Sequence, residues 1–137
     1  MAKSLKLHLV TPDRTIFEGE VEEFTAPGSV GPFTIMFNHA PIVSALVPGI
    51  FKWMPASADT RYLLGGGFLE FHENGATVLA SSAEKIESID LERAQRSLAR
   101  AEERLQHPMD GTIDYERARA SRDRAKARIA AKNPIRG

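Results

Sequence analysis

No cysteine occurs among the 137 residues. That removes a disulfide framework, a thiol nucleophile and any Cys-ligated zinc centre, and it is what a reducing compartment permits. Long apolar runs are missing too. Nowhere do about 18 apolar residues follow one another, so no bilayer-spanning helix is expected and any membrane connection runs through a partner. The opening Met-Ala-Lys-Ser-Leu-Lys-Leu-His lacks the apolar run of a signal peptide. Net charge is absent overall, but the cancellation hides a split: residues 1–88 carry 6 Lys and Arg against 10 Asp and Glu, and residues 89–137 carry 12 against 8.

What is present suits a folded protein. A hydrophobic content of 42% with 26% charged residues excludes a disordered tail, and the length allows a small domain with an appendage. Leu5, Leu7 and Leu9 alternate with Lys6 and His8, the period-two pattern of a strand with one wet face. Thr11-Pro12-Asp13 predicts a turn. Val21 to Ala26 reads as the next strand, with Glu22-Glu23 marking an edge or bulge. Phe33, Ile35 and Phe37 alternate again; Pro41, Pro48 and Gly49 then cut the chain into short pieces, with strands at 50–54 and 61–64. Asn74-Gly75 predicts a hairpin between the runs 68–72 and 77–81. Many short strands between turn signals predict an antiparallel sandwich or barrel.

Several motifs in this half fail as chemistry. Gly65-Gly66-Gly67 has no Walker lysine and no following helix, so it reads as close backbone packing within a strand. His8, His39, His72 and His107 have no metal-like spacing, and His8 and His72 fall on the polar phase of their strands. No serine, histidine and acid are placed to suggest a triad, and no catalytic site is expected. His39 stands apart, because Phe37-Asn38-His39-Ala40-Pro41 is a turn-forming segment that suits an interface as well as a local hydrogen bond.

From residue 89 the composition changes to alanine and arginine. Leu91, Ala94, Leu98, Ala101 and Leu105 form one apolar seam, predicting a helix over about 90–106. Tyr115, Ala118, Ala125 and Ile129 form a second seam, which Arg122 interrupts and beside which Ser121 is the small alternative. Pro108 and Gly111 make the connection, and Pro134 stops the second helix. Each helix opens on Ile-Asp, at Ile89-Asp90 and at Ile113-Asp114. In both, the aspartate fits an N-cap and the isoleucine a hydrophobic staple onto Ala94 or Ala118. Arg93, Arg96, Arg100 and Arg104 lie on one stripe, with Arg124 and Arg128 on the other helix. Such stripes form either a solvated face or a bidentate anion clamp able to hold a polyphosphate. Nucleic-acid binding is disfavoured by the near-balanced acids on the same helices. Helices this close to the limit of about 12–15 residues for isolated stability suit a switch that a ligand can bias.

Thr11-Pro12-Asp13, the segment 31–46 with His39-Ala40-Pro41, Pro48-Gly49, Gly66-Gly67-Phe68-Leu69-Glu70 and Ile89-Asp90-x-x-Arg93-Ala94 follow one another in an order that resembles the epsilon subunit of F-type ATP synthase. The resemblance covers almost the whole chain. It implies an α+β, mainly β fold: an antiparallel β-sandwich of about ten strands over 1–87, followed by an antiparallel two-helix hairpin over 88–137. It implies a non-catalytic rotor subunit on the cytoplasmic face of the bacterial cell membrane, coupling proton translocation to ATP synthesis. The sandwich would bind the gamma subunit and the c-ring, with Pro32, Phe33, Phe37 and His39 at the interface. The hairpin would oppose hydrolysis when extended toward the alpha/beta head.

No cofactor is required by this resemblance, but ATP enters as a regulatory ligand. Its residues would be Glu84, Ile89, Asp90, Arg93, Ala94, Arg100, Arg124 and Arg128. A stand-alone ATP-sensing module is the alternative. The chain departs from the family pattern at Thr34, where glycine is frequent, at Phe37-Asn38 in place of Pro-Gly, and at Pro32, often acidic.

Overall fold

The alternation at Leu5, Leu7 and Leu9 is realised in β1 (Leu5–Val10), whose three leucines are buried. A computed structural model describes residues 3–107 and 111–132. β1 turns through Thr11 to Arg14, with the Thr11 amide donating to the Arg14 carbonyl at 2.9 Å, and returns as β2 (Thr15–Val21). After Glu22 come β3 (Glu23–Gly28) and β4 (Gly31–Met36), which form a hairpin. β5 (Ile42–Met54) and β6 (Arg61–His72) pair along most of their length, and β7 (Gly75–Ala80) and β8 (Ala83–Lys85) both pair with β6.

The strand order is β2-β1-β7-β6-β5-β3-β4, with β8 on β6. β5 and β6 each serve two neighbourhoods: Gly67–His72 pair with β7, whereas Tyr62–Leu64 pair with β8, and β5 meets β3 through Lys52–Met54 and again at Leu46, opposite Gly28. The long strands therefore pass from one layer of the sandwich to the other, which reconciles eight strands with an expectation of about ten. Pro48-Gly49, expected to break the chain, lies inside a strand at this passage, and Gly65–Gly67 lies within a strand as its reading anticipated. A further difference is the pair β1–β7, which is parallel. The two strands are far apart in sequence, so no hairpin turn imposes the antiparallel direction. Thr15–Val21 is likewise a strand of its own, and Glu22 separates it from the next.

Phe24, Phe51, Phe71, Leu5, Leu7, Leu9, Ile35, Leu64, Leu69 and Val78 are the large side chains fully withdrawn from water. Aromatic rings extend this core, Phe24 on Phe51 at 5.3 Å and Trp53 on Tyr62 at 5.8 Å between centroids. Offset or tilted packing of this kind adds to plain area burial. The Lys85 ammonium donates to Asp59 at 2.7 Å, tying β8 to the β5–β6 connection, and this bond raises Lys85 above its ordinary range.

The hairpin between β6 and β7 lies one residue earlier than predicted. His72 pairs with Gly75, so the turn residues are Glu73 and Asn74, both left-handed at φ 49° and 60°. A two-residue turn with positive φ at both centres matches the twist of the strands, and asparagine is well suited to it.

The chain divides into two compact units, Met1–Glu87 and Ser88–Gly137. A 3-10 turn (Ile86–Ser88) precedes α1 (Leu91–Leu105), and α2 (Tyr115–Lys132) completes an antiparallel hairpin. The seam between the helices consists of alanines: Ala94, Ala101, Ala118 and Ala125 are buried. Leu98 and Leu105 are half-buried, and Leu91, placed in the seam by its spacing, is exposed. Methyl-sized residues bring the backbones close, which leaves the bulkier leucines at the rim. Arg122 sits half-buried and donates from Nε to Asp123. Pro108 and Pro134, predicted to turn and to stop the helices, lie outside the described residues.

Candidate functional site

Asp90 is the N-cap of α1: its Oδ1 accepts from the Arg93 amide at 3.1 Å. Asp114 does the same for α2, accepting from the Arg117 amide at 3.1 Å. The repeated Ile-Asp therefore has a complete structural explanation, with Ile89 buried. Capping engages one carboxylate oxygen, and an ionised carboxylate accepts several bonds, so the cap leaves Asp90 capacity for a ligand.

Antiparallel packing sets the first turn of α1, with Asp90, Arg93 and Ala94, at the level of the second half of α2, where Arg124 and Arg128 stand. Arg100 lies roughly 10 Å further along the axis, and its Nη2 donates to Ser97 Oγ at 3.4 Å. Arg93, Arg100 and Arg124 are exposed and Arg128 half-exposed. Glu84 is on β8, opposite Leu63, and belongs to the sandwich unit.

The second group of residues, Pro32, Phe33, Phe37 and His39, does not form one cluster. Pro32 and Phe33 follow the tip of the β3–β4 hairpin, where Val30 is fully exposed. Phe37 and His39 follow the opposite end of β4. At about 3.3 Å per residue, the strand puts roughly 13 Å between Pro32 and Met36. The four residues thus fall in two separate regions, one at each end of β4.

The loop after β4 is tightly held. Asn38 has φ 65°, a conformation that glycine and asparagine tolerate, so asparagine preserves the backbone that a Pro-Gly pair would give there. The His39 amide donates to Met36 O at 3.1 Å, its Nδ1 lies 2.6 Å from Ala40 O, and its ring stands edge-on to Phe71 at 5.9 Å. Lys3 Nζ lies 5.9 Å from the Phe37 ring centre. The Thr34 hydroxyl bonds Thr25 Oγ1 across the hairpin at 2.8 Å.

Beyond this loop the sheet shows an apolar face that the sequence reading passed over. Val43, Phe68 and Leu79 are 77%, 61% and 54% exposed. Ala45 pairs with Phe68 and Phe68 with Leu79, so these three form one outward row across the strands, and Val43, opposite Glu70, lies on the same face one row along. A shallow depression of about 310 Å³ lined by Pro41, Ile42, Val43, Glu70, Phe71 and His72 adjoins it. The available signal was the outward phase of Phe68 and Leu79 in strands otherwise alternating cleanly. A row of large apolar side chains in water marks an interaction surface.

The histidines are scattered. His8 lies 3.9 Å from Glu18, and His72 3.7 Å from Glu70. Among the described residues no group of three or more His, Asp or Glu is placed to hold a metal ion, and no helix is long and apolar enough to cross a membrane.

Comparison with known proteins gives the same two-part division. Residues 4–86 match the β-sandwich domain of the ATP synthase delta/epsilon chain, and residues 87–133 its long α-helix domain. The chain is 40% identical over 129 residues to the ATP synthase epsilon chain of Nitratidesulfovibrio vulgaris, covering 94% of this chain and 96% of the relative. It is 41% identical over 133 residues to that of Syntrophomonas wolfei, covering 96% of each. A similar fold occurs in the mitochondrial ATP synthase of Euglena gracilis, resolved as OSCP/F1/c-ring, with a TM-score of 0.70, 22% identity, and coverage of 93% of this chain and 76% of that one.

Proposed function

The chain belongs to the delta/epsilon chain family of ATP synthase, and from that premise we propose that it is a non-catalytic rotor subunit of the central stalk. In this reading it couples proton translocation to ATP synthesis from the cytoplasmic face of the bacterial cell membrane, attached only through the complex. The observation that carries the reading is the apolar row Ala45, Phe68 and Leu79, with Val43 on the same face. Such a row fits a partner that stays bound, and we assign it, with Phe37 and His39, to the gamma subunit. The hairpin tip with Val30, Pro32 and Phe33 is a second apolar contact at the other end of β4, and we assign it to the c-ring.

The helical hairpin is the regulatory part. Its alanine seam buries few methylenes, at about 0.8 kcal/mol each, so it is easily opened, and in an extended form it would reach the alpha/beta head. Deleting residues 88–137 is expected to raise ATP hydrolysis by the assembled complex severalfold with subunit retention unchanged. Equal hydrolysis with and without the hairpin would remove the inhibitory role.

ATP is the ligand that the arginine-rich end of the hairpin fits. Arg93, Arg124 and Arg128 would hold the phosphates, with Arg100, Asp90, Ile89 and Ala94 as the remaining hairpin residues of the site. Calorimetry of the full chain should show ATP binding, and Arg93→Ala should weaken it by about tenfold or more, the value of a charge-assisted hydrogen bond. Absence of heat at millimolar ATP would remove the nucleotide and leave the stalk role intact.

A further inference from the structure

We propose that Asn74 is a positioning residue for the His39 loop, acting through a reciprocal amide clasp with Asn38. This inference rests on the reading of that loop as a stalk interface. The Asn38 amide donates to Asn74 Oδ1 at 2.6 Å, and Asn74 Nδ2 donates to Asn38 Oδ1 at 3.0 Å. The two residues are 36 positions apart, and both occupy the left-handed region, at φ 65° and 60°. Each asparagine therefore does two jobs: it permits its own tight turn and bonds the other turn.

The location gives the clasp its consequence. β4 is the last strand of the sheet path, whereas the β6–β7 turn lies in its middle. Asn74 is itself anchored, because its carbonyl accepts from the Lys6 amide at 2.8 Å and its turn closes two paired strands. The clasp transfers that rigidity to the loop between Met36 and Ile42. His39 is then held at its neighbours: the amide on Met36 O, the ring on Phe71, and Nδ1 on Ala40 O. With Nδ1 donating to a carbonyl, a neutral imidazole presents Nε2 as its acceptor, so the fixed ring is matched to a hydrogen-bond donor on the partner. A loop ordered before binding loses less entropy on binding, so the clasp contributes to affinity without touching the partner.

Glycine substitutions separate this role from the turns, since glycine keeps the left-handed backbone at either position. Asn74→Gly removes both bonds, Asn38→Gly removes only the bond to Asn38 Oδ1, and the double variant removes nothing more than Asn74→Gly. In the free full-length chain, amide exchange at Asn38 should quicken about fivefold or more in Asn74→Gly, the worth of one hydrogen bond. Affinity for the gamma subunit should fall about fivefold in Asn74→Gly, less in Asn38→Gly, and no further in the double variant than in Asn74→Gly.

Unchanged exchange at Asn38 would overturn the clasp. Released exchange with unchanged affinity would overturn the positioning role while the interface reading stood, provided that His39→Ala still weakened binding. Unchanged affinity in His39→Ala as well would overturn the interface reading and the inference with it. A double variant equal to the sum of the two singles would show two independent asparagines and no clasp.

Discussion

Phe68→Asp is expected to weaken association of the full-length chain with the gamma subunit by about 100-fold or more, the range of an interface hot spot, while the melting temperature of the free chain stays within a few degrees. Phe68 is the centre of the outward row, flanked by Ala45 and Leu79, and its ring is 61% exposed in the free chain. An interface that covers the ring would have to bury an unpaired carboxylate in the variant, whereas the free chain leaves that carboxylate in water. Titration by calorimetry checks the first part and thermal unfolding the second. Val30→Asp, at the tip of the β3–β4 hairpin, is the matched control: it adds the same charge to an exposed apolar position and should leave gamma binding unchanged.

The second large effect concerns folding. Gly67→Ala should destabilise the chain by on the order of 3 kcal/mol, from strained backbone and overpacking together. Gly67 stands at φ 155°, and a Cβ there would lie 2.1 Å from the Leu79 carbonyl oxygen and 2.9 Å from Ala80 Cα. Those are backbone atoms of the neighbouring strand, so relief requires β6 and β7 to separate. Gly111→Ala meets nothing within 4 Å and should change stability by less than about 0.5 kcal/mol. Urea unfolding of both variants gives the comparison.

These two residues also show where sequence reasoning reached and where it stopped. The buried leucines of β1 and the two aspartate caps were legible because their signals are local: a period of two, and an acid just before an apolar period near four. Gly67 was legible as close packing within a strand, but the 12-residue length of that strand was not, since 61–64 and 68–72 read as separate runs. The sandwich uses Gly67 and Pro48 where β5 and β6 cross between layers, and only the whole sheet shows that. Thr15–Val21 was hidden for a related reason. Ile16 and Phe17 are both half-buried and Gly19 has no side chain to mark the alternation.

The candidate sites divide in the same way. The capping role of Asp90 could be read from its place just before an apolar helical period, and its bond to the Arg93 amide shows it. Pro32 and Phe33 stand at one end of an extended strand, and Phe37 and His39 follow its other end. Val43, Phe68 and Leu79 lie on three strands and share a face only through the registers of β5, β6 and β7. No single stretch of sequence carries that arrangement, nor the pairing of Asn38 with Asn74.

The docking face is tested most directly by oxidative side-chain footprinting of the chain, free and within its assembled ATP synthase. Phe68 and Leu79 should label readily in the free chain and lose most of that labelling in the complex, while exposed Met54, at the opposite end of β5 from Val43, labels equally in both. Equal labelling of Phe68 and Leu79 in the two states would contradict the assignment of this face to the stalk.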